Sequence, residues 1–429
     1  MSNTVQHTNM KDSGIKWIGE IPASWNVRTL YQLVTRVNNK NSDLAEQNLL
    51  SLSYGKIKRK DINTNDGLLP ASFDGYNIIE AGDIVLRLTD LQNDHTSLRV
   101  GHATERGIIT SAYTTLRPIN PAHSRYLYYL IHAFDLKKGF YGMGSGVRQG
   151  LNYDEVKELR VVLPSQREQD AIVSYLDDVC QQIDLMIDEA KASIDEYKKW
   201  RSATIYEAVT KGINSSADLQ PCDLDVVDAI PAHWETRAIK YLASCNDEVL
   251  PENTADTFAF NYIDIGSVKY GDGITQLQPM IFSEAPSRAR RIVQENDVII
   301  STVRTYLKAV AIITKFEDPQ IVSTGFAVLR AYDVNPDFLY YAVLSDNFIC
   351  KVEASSVGMS YPAINASEIM AFKIPLPPKE EQIQIAAYLN QKCGYISMLV
   401  SEKNDLIDEL ESFKRALIYE TVTGKRKVV

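Results

Sequence analysis

The chain has 429 residues, of which 45% are hydrophobic and 23% charged, and its formal net charge is −10. This composition is typical of a soluble globular protein, and the length exceeds the roughly 100–200 residues of one ordinary domain. No segment approaches the ~20 consecutive apolar residues of a membrane-spanning helix, and the N-terminal segment lacks the apolar core of a secretory signal. We therefore expect a cytoplasmic protein with at least two domains.

Two copies of one unit follow each other along the chain. IPASWNVRTLYQL at Ile21–Leu33 recurs as IPAHWETRAIKYL at Ile230–Leu242, and IITSAYTTLR at Ile108–Arg117 recurs as IVSTGFAVLR at Ile321–Arg330. LPSQREQDAIVSYL recurs later as LPPKEEQIQIAAYL. The offset is 209 residues for the first pair and 213 for the other two, so the copies align with few insertions. A repeat of this length excludes a solenoid of short repeats.

The first part of each copy has short β-rich runs separated by Gly, Asn and Pro. These runs predict strands at Asp83–Leu88, Tyr113–Leu116 and Val298–Val303. Runs rich in Tyr and Leu predict short helices at Ser124–Phe134 and Asp337–Leu344. The pattern predicts a mixed α/β domain in each copy.

The second part of each copy begins at Leu-Pro and predicts a helix of about 45 residues, which would be roughly 65–70 Å long. Apolar residues at alternating steps of three and four are typical of a coiled-coil seam. The predicted seam of the first helix is Ile172, Leu176, Val179, Ile183, Met186, Ala190, Tyr197 and Trp200. The predicted seam of the second is Ile385, Leu389, Ile396, Leu399, Leu406, Leu410, Phe413 and Leu417. We expect the helices to pair antiparallel; alternatively, each packs along its own domain.

The predicted fold class is therefore α+β. Two tandem mixed α/β domains are separated by two long helices that pair as an antiparallel coiled coil, with pseudo-two-fold symmetry. The predicted boundaries are 1–162 for the first domain, 163–213 for the first helix, 214–229 for a linker, 230–375 for the second domain, and 376–429 for the second helix with a C-terminal tail.

Almost the whole chain resembles the specificity (S) subunits of type I restriction-modification systems. The resemblance depends on DSGIKWIGEIPASW at Asp12–Trp25, on the LPxxxEQ segments at Leu163–Gln169 and Leu376–Gln382, and on the segments IYEAVT and IYETVT. It implies that the two α/β domains are target-recognition domains, each reading one half of a bipartite, asymmetric sequence in double-stranded DNA. It also implies that the helices space these domains and dock two methyltransferase (M) subunits, and that restriction (R) subunits complete the complex.

The same resemblance implies that the chain is non-catalytic by itself. S-adenosylmethionine would then belong to the M subunits, which methylate N6 of adenine, and ATP with Mg²⁺ to the R subunits. The residues agree, because no Gly-rich loop indicates an S-adenosylmethionine pocket, no GxxxxGK[ST] marks an ATPase, and the six His and five Cys residues show no metal-ligand spacing. We expect no catalytic, cofactor-binding or metal site in this chain.

Two other functional classes stay open. One is a stand-alone coiled-coil scaffold or DNA-binding regulator without associated enzyme subunits. The other is a solitary methyltransferase, which NPDF at Asn335–Phe338 suggests because it is similar to the NPPF of adenine methyltransferases. The second Pro is missing, however, so we interpret NPDF as a helix-start turn.

Candidate DNA contacts are Lys and Arg, which bind phosphates, and Arg, Asn and Gln, which read bases. In the first copy the candidates are Lys56, Lys58, Arg59, Lys60, Arg87, Arg148 and Gln149. In the second copy they are Arg288, Arg290, Arg291, Arg304, Lys308, Ser360 and Tyr361. The alternatives are a solvated charged face, a structural turn and strand-edge caps. The acidic balance of 230–375 counts against a simple basic patch there.

Overall fold

The computed structural model describes residues 7–62, 70, 72–91, 94, 96–143, 150–214 and 216–428. The chain divides into two compact units. Unit 1 comprises Met1–Glu189 and Leu406–Val429, and unit 2 comprises Ala190–Asp405. Each unit contains one α/β domain together with part of each long helix.

The strands of unit 1 are short. They are β1 (Met10–Asp12), β2 (Glu20–Pro22), β3 (Asn26–Thr29), β4 (Val34–Arg36), β5 (Leu50–Ser53), β6 (Lys56–Arg59), β7 (Asn77–Ile79), β8 (Ile84–Leu86), β9 (Val100–His102), β10 (Gly107–Ile109), β11 (Thr114–Pro118) and β12 (Arg160–Leu163). A four-stranded antiparallel sheet has the order β4-β11-β8-β9, and the others pair as β1-β2, β3-β12, β5-β6 and β7-β10. All three residues of β8 are buried, which explains its continuous apolar run.

Three α-helices begin in the described part of unit 1. They are α1 (Ser124–Leu136), α2 (Tyr153–Val156) and α3 (Gln166–Lys211). Helix α1 buries Tyr126, Leu127, Leu130 and Ile131, and it packs against β9. The predicted helix at Ser124–Phe134 is confirmed, as are the strands predicted at Asp83–Leu88 and Tyr113–Leu116 within one to two residues at most ends.

Unit 2 repeats this plan and adds a second sheet. Its strands are β13 (Leu219–Leu224), β14 (Val227–Pro231), β15 (Glu235–Ala238), β16 (Ala243–Cys245), β17 (Ala259–Ile263), β18 (Val268–Lys269), β19 (Gly273–Ile274), β20 (Gln278–Ile281), β21 (Ala289–Ile292), β22 (Val298–Ser301), β23 (Val310–Ile312), β24 (Gln320–Ser323), β25 (Phe326–Ala331) and β26 (Lys373–Leu376). Its helices are α4 (Pro336–Leu344), α5 (Asp346–Ser355), α6 (Ala366–Ala371) and α7 (Lys379–Val422), which continues into unit 1.

The sheet β16-β25-β22-β23 of unit 2 has the same strand order as β4-β11-β8-β9 of unit 1. The pair β15-β26 corresponds to β3-β12, and the hairpin β13-β14, which lies in and beyond the segment predicted as a linker, corresponds to β1-β2. The additional sheet has the order β20-β17-β24-β21, in which β17 and β24 are parallel. The predicted duplication of a mixed α/β domain is confirmed.

The long helices α3 and α7 have 46 and 44 residues and run antiparallel within each unit. In unit 1, Lys414 lies 2.6 Å from Asp184, while the Tyr126 hydroxyl lies 3.1 Å from the carbonyl oxygens of both Val162, just before α3, and Val422, at the end of α7. Residue numbers therefore rise along α3 as they fall along α7. No helix in the described part of the chain is long and apolar enough to span a membrane.

The same direction holds in unit 2. Gly212, just after the end of α3, lies beside Glu381, near the start of α7. Arg201, earlier on α3, lies near Cys393, later on α7. The predicted fold class, with two α/β domains and an antiparallel pair of long helices, is confirmed.

The prediction that four particular residues belong to the buried seams is wrong. Met186, Trp200, Leu406 and Phe413 are 45%, 44%, 40% and 50% exposed. Ile187 and Ile407, which directly follow Met186 and Leu406, are buried instead, and so is Arg201 after Trp200. The reason is geometric: an α-helix has 3.6 residues per turn, so a pattern of strict 3.5 spacing drifts by about 20° per heptad, and the next residue along then faces inward.

The Glu of each LPxxxEQ segment ties a long helix to its domain. Glu168 accepts a hydrogen bond from Trp25 Nε1 at 3.1 Å, and Glu381 accepts one from Trp234 Nε1 at 3.0 Å. Both Trp residues are almost fully buried. In each copy of the repeat, the Trp that follows Ile-Pro-Ala is therefore hydrogen-bonded to the Glu of the LPxxxEQ segment.

The Gln of each LPxxxEQ segment closes the Leu-Pro turn. Gln169 donates to the Pro164 carbonyl at 2.9 Å, and Gln382 donates to the Pro377 carbonyl at 2.8 Å. Both Gln side chains are buried, so these hydrogen bonds satisfy groups that would otherwise be costly to bury. The similar segments that reveal the duplication thus have a structural role at the start of each helix.

Candidate nucleic-acid interface

Two loops of unit 2 carry four of the predicted DNA contacts and are joined through their backbones. The first runs over 302–309 between β22 and β23, and the second over 356–364 between α5 and α6; we call them the joined loops. The Ile364 amide donates to the Thr302 carbonyl at 2.9 Å, and Val303 forms a β-bridge with Ala363. The two loops therefore form one structural element.

Arg304 and Tyr361 meet across the joined loops. The Arg304 guanidinium carbon lies 5.4 Å from the centre of the Tyr361 ring, within the range of a cation–π interaction. Arg304 has a φ of 51°, in the left-handed region that costs a non-glycine residue about 1–2 kcal/mol. Tyr361 is 67% exposed. The loops therefore hold a cation beside an exposed aromatic ring, a combination that can contact phosphates and bases.

Lys308 and Ser360 lie on the same joined loops with different surroundings. Lys308 also has a φ of 51°, but its Nζ lies 3.5 Å from Glu353, which offsets part of its charge. Ser360 is exposed beside Tyr361. Of the four residues on this element, Arg304 and Tyr361 are the more strongly positioned for contact.

The three arginines of SRARR lie on and beside β21 and are partly used within the domain. Arg288 Nε donates to the Tyr262 hydroxyl at 3.1 Å, a hydrogen bond that raises the pKa of Arg288, and most of its side chain is exposed. Arg290 lies over the Phe282 ring at 4.8 Å. Arg291 is half-buried, and its Nε has no hydrogen-bond partner among the described residues. The structure places these three on a different element from the joined loops.

In unit 1 the basic run lies on the hairpin β5-β6. Lys56 Nζ lies 3.8 Å from a carboxylate on α3, and Arg59 Nε donates to Glu105 at 2.9 Å. Lys58 and Lys60 are exposed. Lys56 and Arg59 therefore make contacts inside unit 1. Lys58 and Lys60 are the better candidates for phosphate contacts.

A buried arginine that sequence reasoning missed organises the loop after Arg87. Arg99 is fully buried and donates to the carbonyl oxygens of Thr89 at 2.7 Å and Asp90 at 3.2 Å. Arg87 lies 3.8 Å from Asp94, whose pKa is held well below its usual range by hydrogen bonds from the nearby backbone of the loop. The sequence signal for Arg99 is weak: the residue stands between Leu98 and Val100, directly before β9. Arg148 and Gln149 lie outside the described residues.

The model of a family described as the type I restriction modification DNA specificity domain matches residues 22–196 and again residues 231–409. The chain belongs to this family. The two matches fall on the two copies of the repeat, so this specificity-domain chain has two copies of the family domain in tandem.

Relatives of this specificity-domain chain extend over nearly its whole length. A Methanocaldococcus jannaschii protein, provisionally named the type I restriction enzyme MjaX specificity subunit, is 24% identical over 439 residues and covers 96% of each chain. The type I restriction enzyme MjaVIII specificity subunit of the same organism is 21% identical over 393 residues, covering 88% of this chain and 84% of the relative.

A solved structure also has this fold. It is described as the structural basis of complex assembly and conformational transition of the type I R-M system, and it matches with a TM-score of 0.65 at 15% identity, covering 94% of this chain and 98% of that chain. At this identity the likeness shows the fold alone.

In this specificity-domain chain NPDF starts a helix. The Asn335 side chain accepts a hydrogen bond from the Phe338 amide at 3.0 Å, and Pro336 is the first residue of α4. This is the usual N-cap arrangement, in which a side-chain oxygen satisfies a free amide. The interpretation of NPDF as a helix-start turn is confirmed.

Sequence reasoning also missed the apolar tip of the second joined loop. Val357 is 81% exposed and Met359 is 103% exposed, with Gly358 between them at a φ of 116°. The signal in the sequence is weak, because an exposed Met beside a Gly looks the same as a buried one. Only the backbone contacts at the base of the loop show that the tip points away from the core.

Proposed function

We propose that this chain is the DNA-recognition and assembly subunit of a type I restriction-modification complex, and that each unit reads one half of a bipartite, asymmetric target in double-stranded DNA. The observation that supports this most is the duplication itself. The two units share sheet order and helix-start contacts, and the repeat aligns Leu151-Asn152 with Ile364-Asn365. In the same sequence alignment Arg148-Gln149 stands opposite Tyr361-Pro362, so the side chains differ at equivalent positions of the sequence. Two readers of different half-sites require a common scaffold with different contact residues.

The candidate contacts named above act in this proposal as two sets. In unit 2 the joined loops supply Arg304 and Tyr361, and in unit 1 the hairpin β5-β6 supplies Lys58 and Lys60. The chemistry is supplied by partners. M subunits that bind S-adenosylmethionine methylate N6 of adenine, and R subunits that use ATP and Mg²⁺ cut unmodified DNA.

The partner surfaces of this proposal are exposed apolar residues on the long helices. In unit 1, Leu185 on α3 is 55% exposed and Phe413 on α7 is 50% exposed, and each is next in sequence to one member of the salt bridge between Asp184 and Lys414. Leu185 and Phe413 therefore lie on the same stretch of the helix pair. We call them docking patch 1.

Unit 2 has the same pair at the corresponding positions. Met398 is 48% exposed and Trp200 is 44% exposed, and they stand 213 residues from Leu185 and Phe413 in the repeat. We call them docking patch 2. Large apolar side chains left exposed in clusters mark contact surfaces, and aromatic residues there carry much of the binding energy. Two equivalent patches fit two copies of one partner, an M subunit.

Methylation mapping tests the proposed function. The chain is expressed with its M subunit in a host that lacks the system, and methylated adenines are located across the genome. We expect one new motif made of two short specified segments separated by unspecified base pairs. A continuous palindromic motif, or no new methylation, would contradict the proposal.

Co-purification tests the docking patches. The wild-type chain should capture M subunits at about two per chain, whereas Leu185→Asp with Phe413→Asp, or Met398→Asp with Trp200→Asp, should capture about one, and the four changes together should capture none. Tyr54→Asp, at a residue that is 77% exposed outside both patches, is the matched control and should keep two. A ratio that stays at two in the patch variants would refute the patches. Failure of the wild-type chain to capture any M subunit would favour a stand-alone regulator instead.

A further inference from the structure

The second joined loop of unit 2 ends in a stiff tip. Val357 and Ala363 exchange two backbone hydrogen bonds, with the Val357 amide donating at 2.8 Å and the Ala363 amide donating at 3.0 Å. At the base, the Thr305 hydroxyl donates to the Ser356 hydroxyl at 2.9 Å. These contacts fix residues 357–363 against the first joined loop.

This tip presents apolar side chains to solvent. Met359 is 103% exposed, so its whole side chain reaches solvent, and Val357 is 81% exposed. Gly358 adopts a φ of 116°, a conformation that side-chain-bearing residues rarely adopt, and so allows the turn that carries Met359 outward. Exposing an unbranched apolar side chain on a fixed turn contributes nothing to the packing of the domain.

The charged residues beside the tip indicate the kind of partner that the tip binds. Arg304 lies against Tyr361 at the foot of the tip, and Lys308 lies on the same first joined loop as Arg304. Both Arg304 and Lys308 have a left-handed backbone conformation. An exposed apolar side chain on a loop that also carries an aromatic ring, next to a loop that carries two cations, fits a polyanion with a stacked apolar interior, which is duplex DNA. Proteins that insert Met, Leu or Phe between base pairs use this combination of groups.

We propose that Met359 inserts between two stacked base pairs of the half-site read by unit 2, while Arg304, held by Tyr361, contacts the DNA beside the opened step. This rests on the proposed function, because it assumes that unit 2 reads DNA. Insertion separates the stacked bases and bends the duplex. Unit 2 then selects its half-site partly by how easily that step opens, which favours pyrimidine–purine steps.

Fluorescence of 2-aminopurine tests the insertion, because this base brightens when it loses its stacking neighbour. The assay uses the complex of the full chain with its M subunits and duplexes carrying the motif found by methylation mapping. 2-Aminopurine replaces each base of both half-sites in turn, except the adenine that becomes methylated. We expect fluorescence to rise several-fold at one step with the wild-type chain. Met359→Ala should abolish that rise and weaken binding by about tenfold, while Met359→Leu should keep both.

The controls separate insertion from other effects. Leu277→Ala removes a 41% exposed apolar side chain elsewhere in unit 2 and should keep wild-type fluorescence and affinity. If no position shows a rise that depends on residue 359, insertion is wrong, and a loss of affinity alone would assign Met359 to a surface contact. If the wild-type complex binds no split motif, the proposed function itself fails, and the two failures are therefore distinguishable.

Discussion

Arg330 donates two hydrogen bonds to the buried carboxylate of Asp297, at 2.9 and 2.8 Å. Arg117 repeats this contact with Asp83 in unit 1, with both hydrogen bonds at 2.7 Å. In each unit the acid is the first residue of the DIV or DVI run, just before β8 or β22, and the arginine lies on the neighbouring strand β11 or β25. The repeated Arg of the sequence is therefore half of an ion pair inside the domain.

Removing the arginine of this pair should destabilise unit 2 strongly. Asp297 is 1% exposed, so Arg330→Met leaves a buried carboxylate without its partner, and we expect a loss of about 3 kcal/mol or more in the free energy of unfolding. Arg237→Met is the control, because its ion pair with Asp333 is 41% and 37% exposed and should contribute less than about 1 kcal/mol. Hydrogen exchange in β25 measures both. Equal effects of the two changes would contradict this role for Asp297.

The hydrogen bond between Trp234 and Glu381 should stabilise the start of α7. Trp234→Phe keeps most of the buried ring but removes the N–H donor, so we expect a loss of about 1–2 kcal/mol and faster hydrogen exchange in the first turns of α7. Trp17→Phe is a matched control, because the Trp17 indole N–H is buried without a hydrogen-bond partner among the described residues. This prediction fails if Trp17→Phe costs as much as Trp234→Phe.

Unit 1 should lose stability as the pH falls below neutral. The pKa of His102 and that of His132 are both lowered from 6.5 to about 4, mainly by burial, and for His132 also by the cations Lys414 and Arg125. Between pH 6.5 and 4 the unfolded chain therefore binds protons that the folded chain does not. Stability is present above pH 6.5 and is lost towards pH 4, at up to about 1.4 kcal/mol per pH unit for each His.

One acid in the same unit acts in the opposite direction. Burial raises the pKa of Asp135 from 3.8 to about 6, so the folded chain binds its proton more tightly and is favoured as the pH falls through that range. We expect His132→Phe, which keeps a ring against Tyr128, to flatten the pH dependence of unfolding between pH 4 and 6.5, and Asp135→Asn to steepen it. Thermal unfolding across this pH range measures both. The reverse order of slopes would show that other groups dominate.

Phosphate contacts by the hairpin β5-β6 predict a change in salt dependence. Lys58→Gln with Lys60→Gln should weaken binding to cognate and unrelated DNA alike, and should reduce the slope of log affinity against log salt concentration by about 2. Lys199→Gln removes an exposed cation that is ion-paired with Glu196 on α3, and serves as the control for net charge. An unchanged slope in the double variant would remove this hairpin from the interface.

The length of the helices should set the number of unread base pairs in the target. One extra heptad in both α3 and α7 adds about 10 Å of helix, which corresponds to about three base pairs. Methylation mapping should therefore find the same two half-sites separated by about three more base pairs. A seven-residue insertion in the exposed loop 251–256 should leave the spacing as it was. Unchanged spacing in the helix variant would show that the helices do not measure this distance.

The sequence predicts the duplicated features well because the repeat makes each of them visible twice. Both long helices and the mixed α/β character of each copy follow from local pattern and recurrence, and the turn at NPDF follows from its Asn-Pro pair. The strand order of the sheets does not follow from these patterns. The seam is less predictable at Met186 and Ile187, because adjacent apolar residues differ by 100° around the helix and the partner decides which one is buried. Both residues fit the apolar pattern equally well.

Candidate contact residues are harder to predict, because the sequence does not show which way a charged side chain points or what it contacts. The side chains of Lys56 and Arg59 are 69% and 73% exposed, yet each lies beside a carboxylate of unit 1 that is distant in sequence. Arg304 and Tyr361 are far apart in sequence and meet only through the β-bridge between the loops that carry them. Tertiary structure decides which polar residues remain available.

Unit 1 is assembled from both ends of the sequence. The hydroxyl of Tyr126 lies 3.1 Å from the carbonyl oxygen of Val422, and Lys425 donates to the Ile18 carbonyl at 2.6 Å. During synthesis, the domain that leaves the ribosome first must therefore wait for the last helix, while unit 2, all of whose residues lie between 190 and 405, can close earlier. Translation that stops before α7 is complete would leave unit 1 unfinished, so a shortened chain would be a target for proteolysis before it could bind a partner.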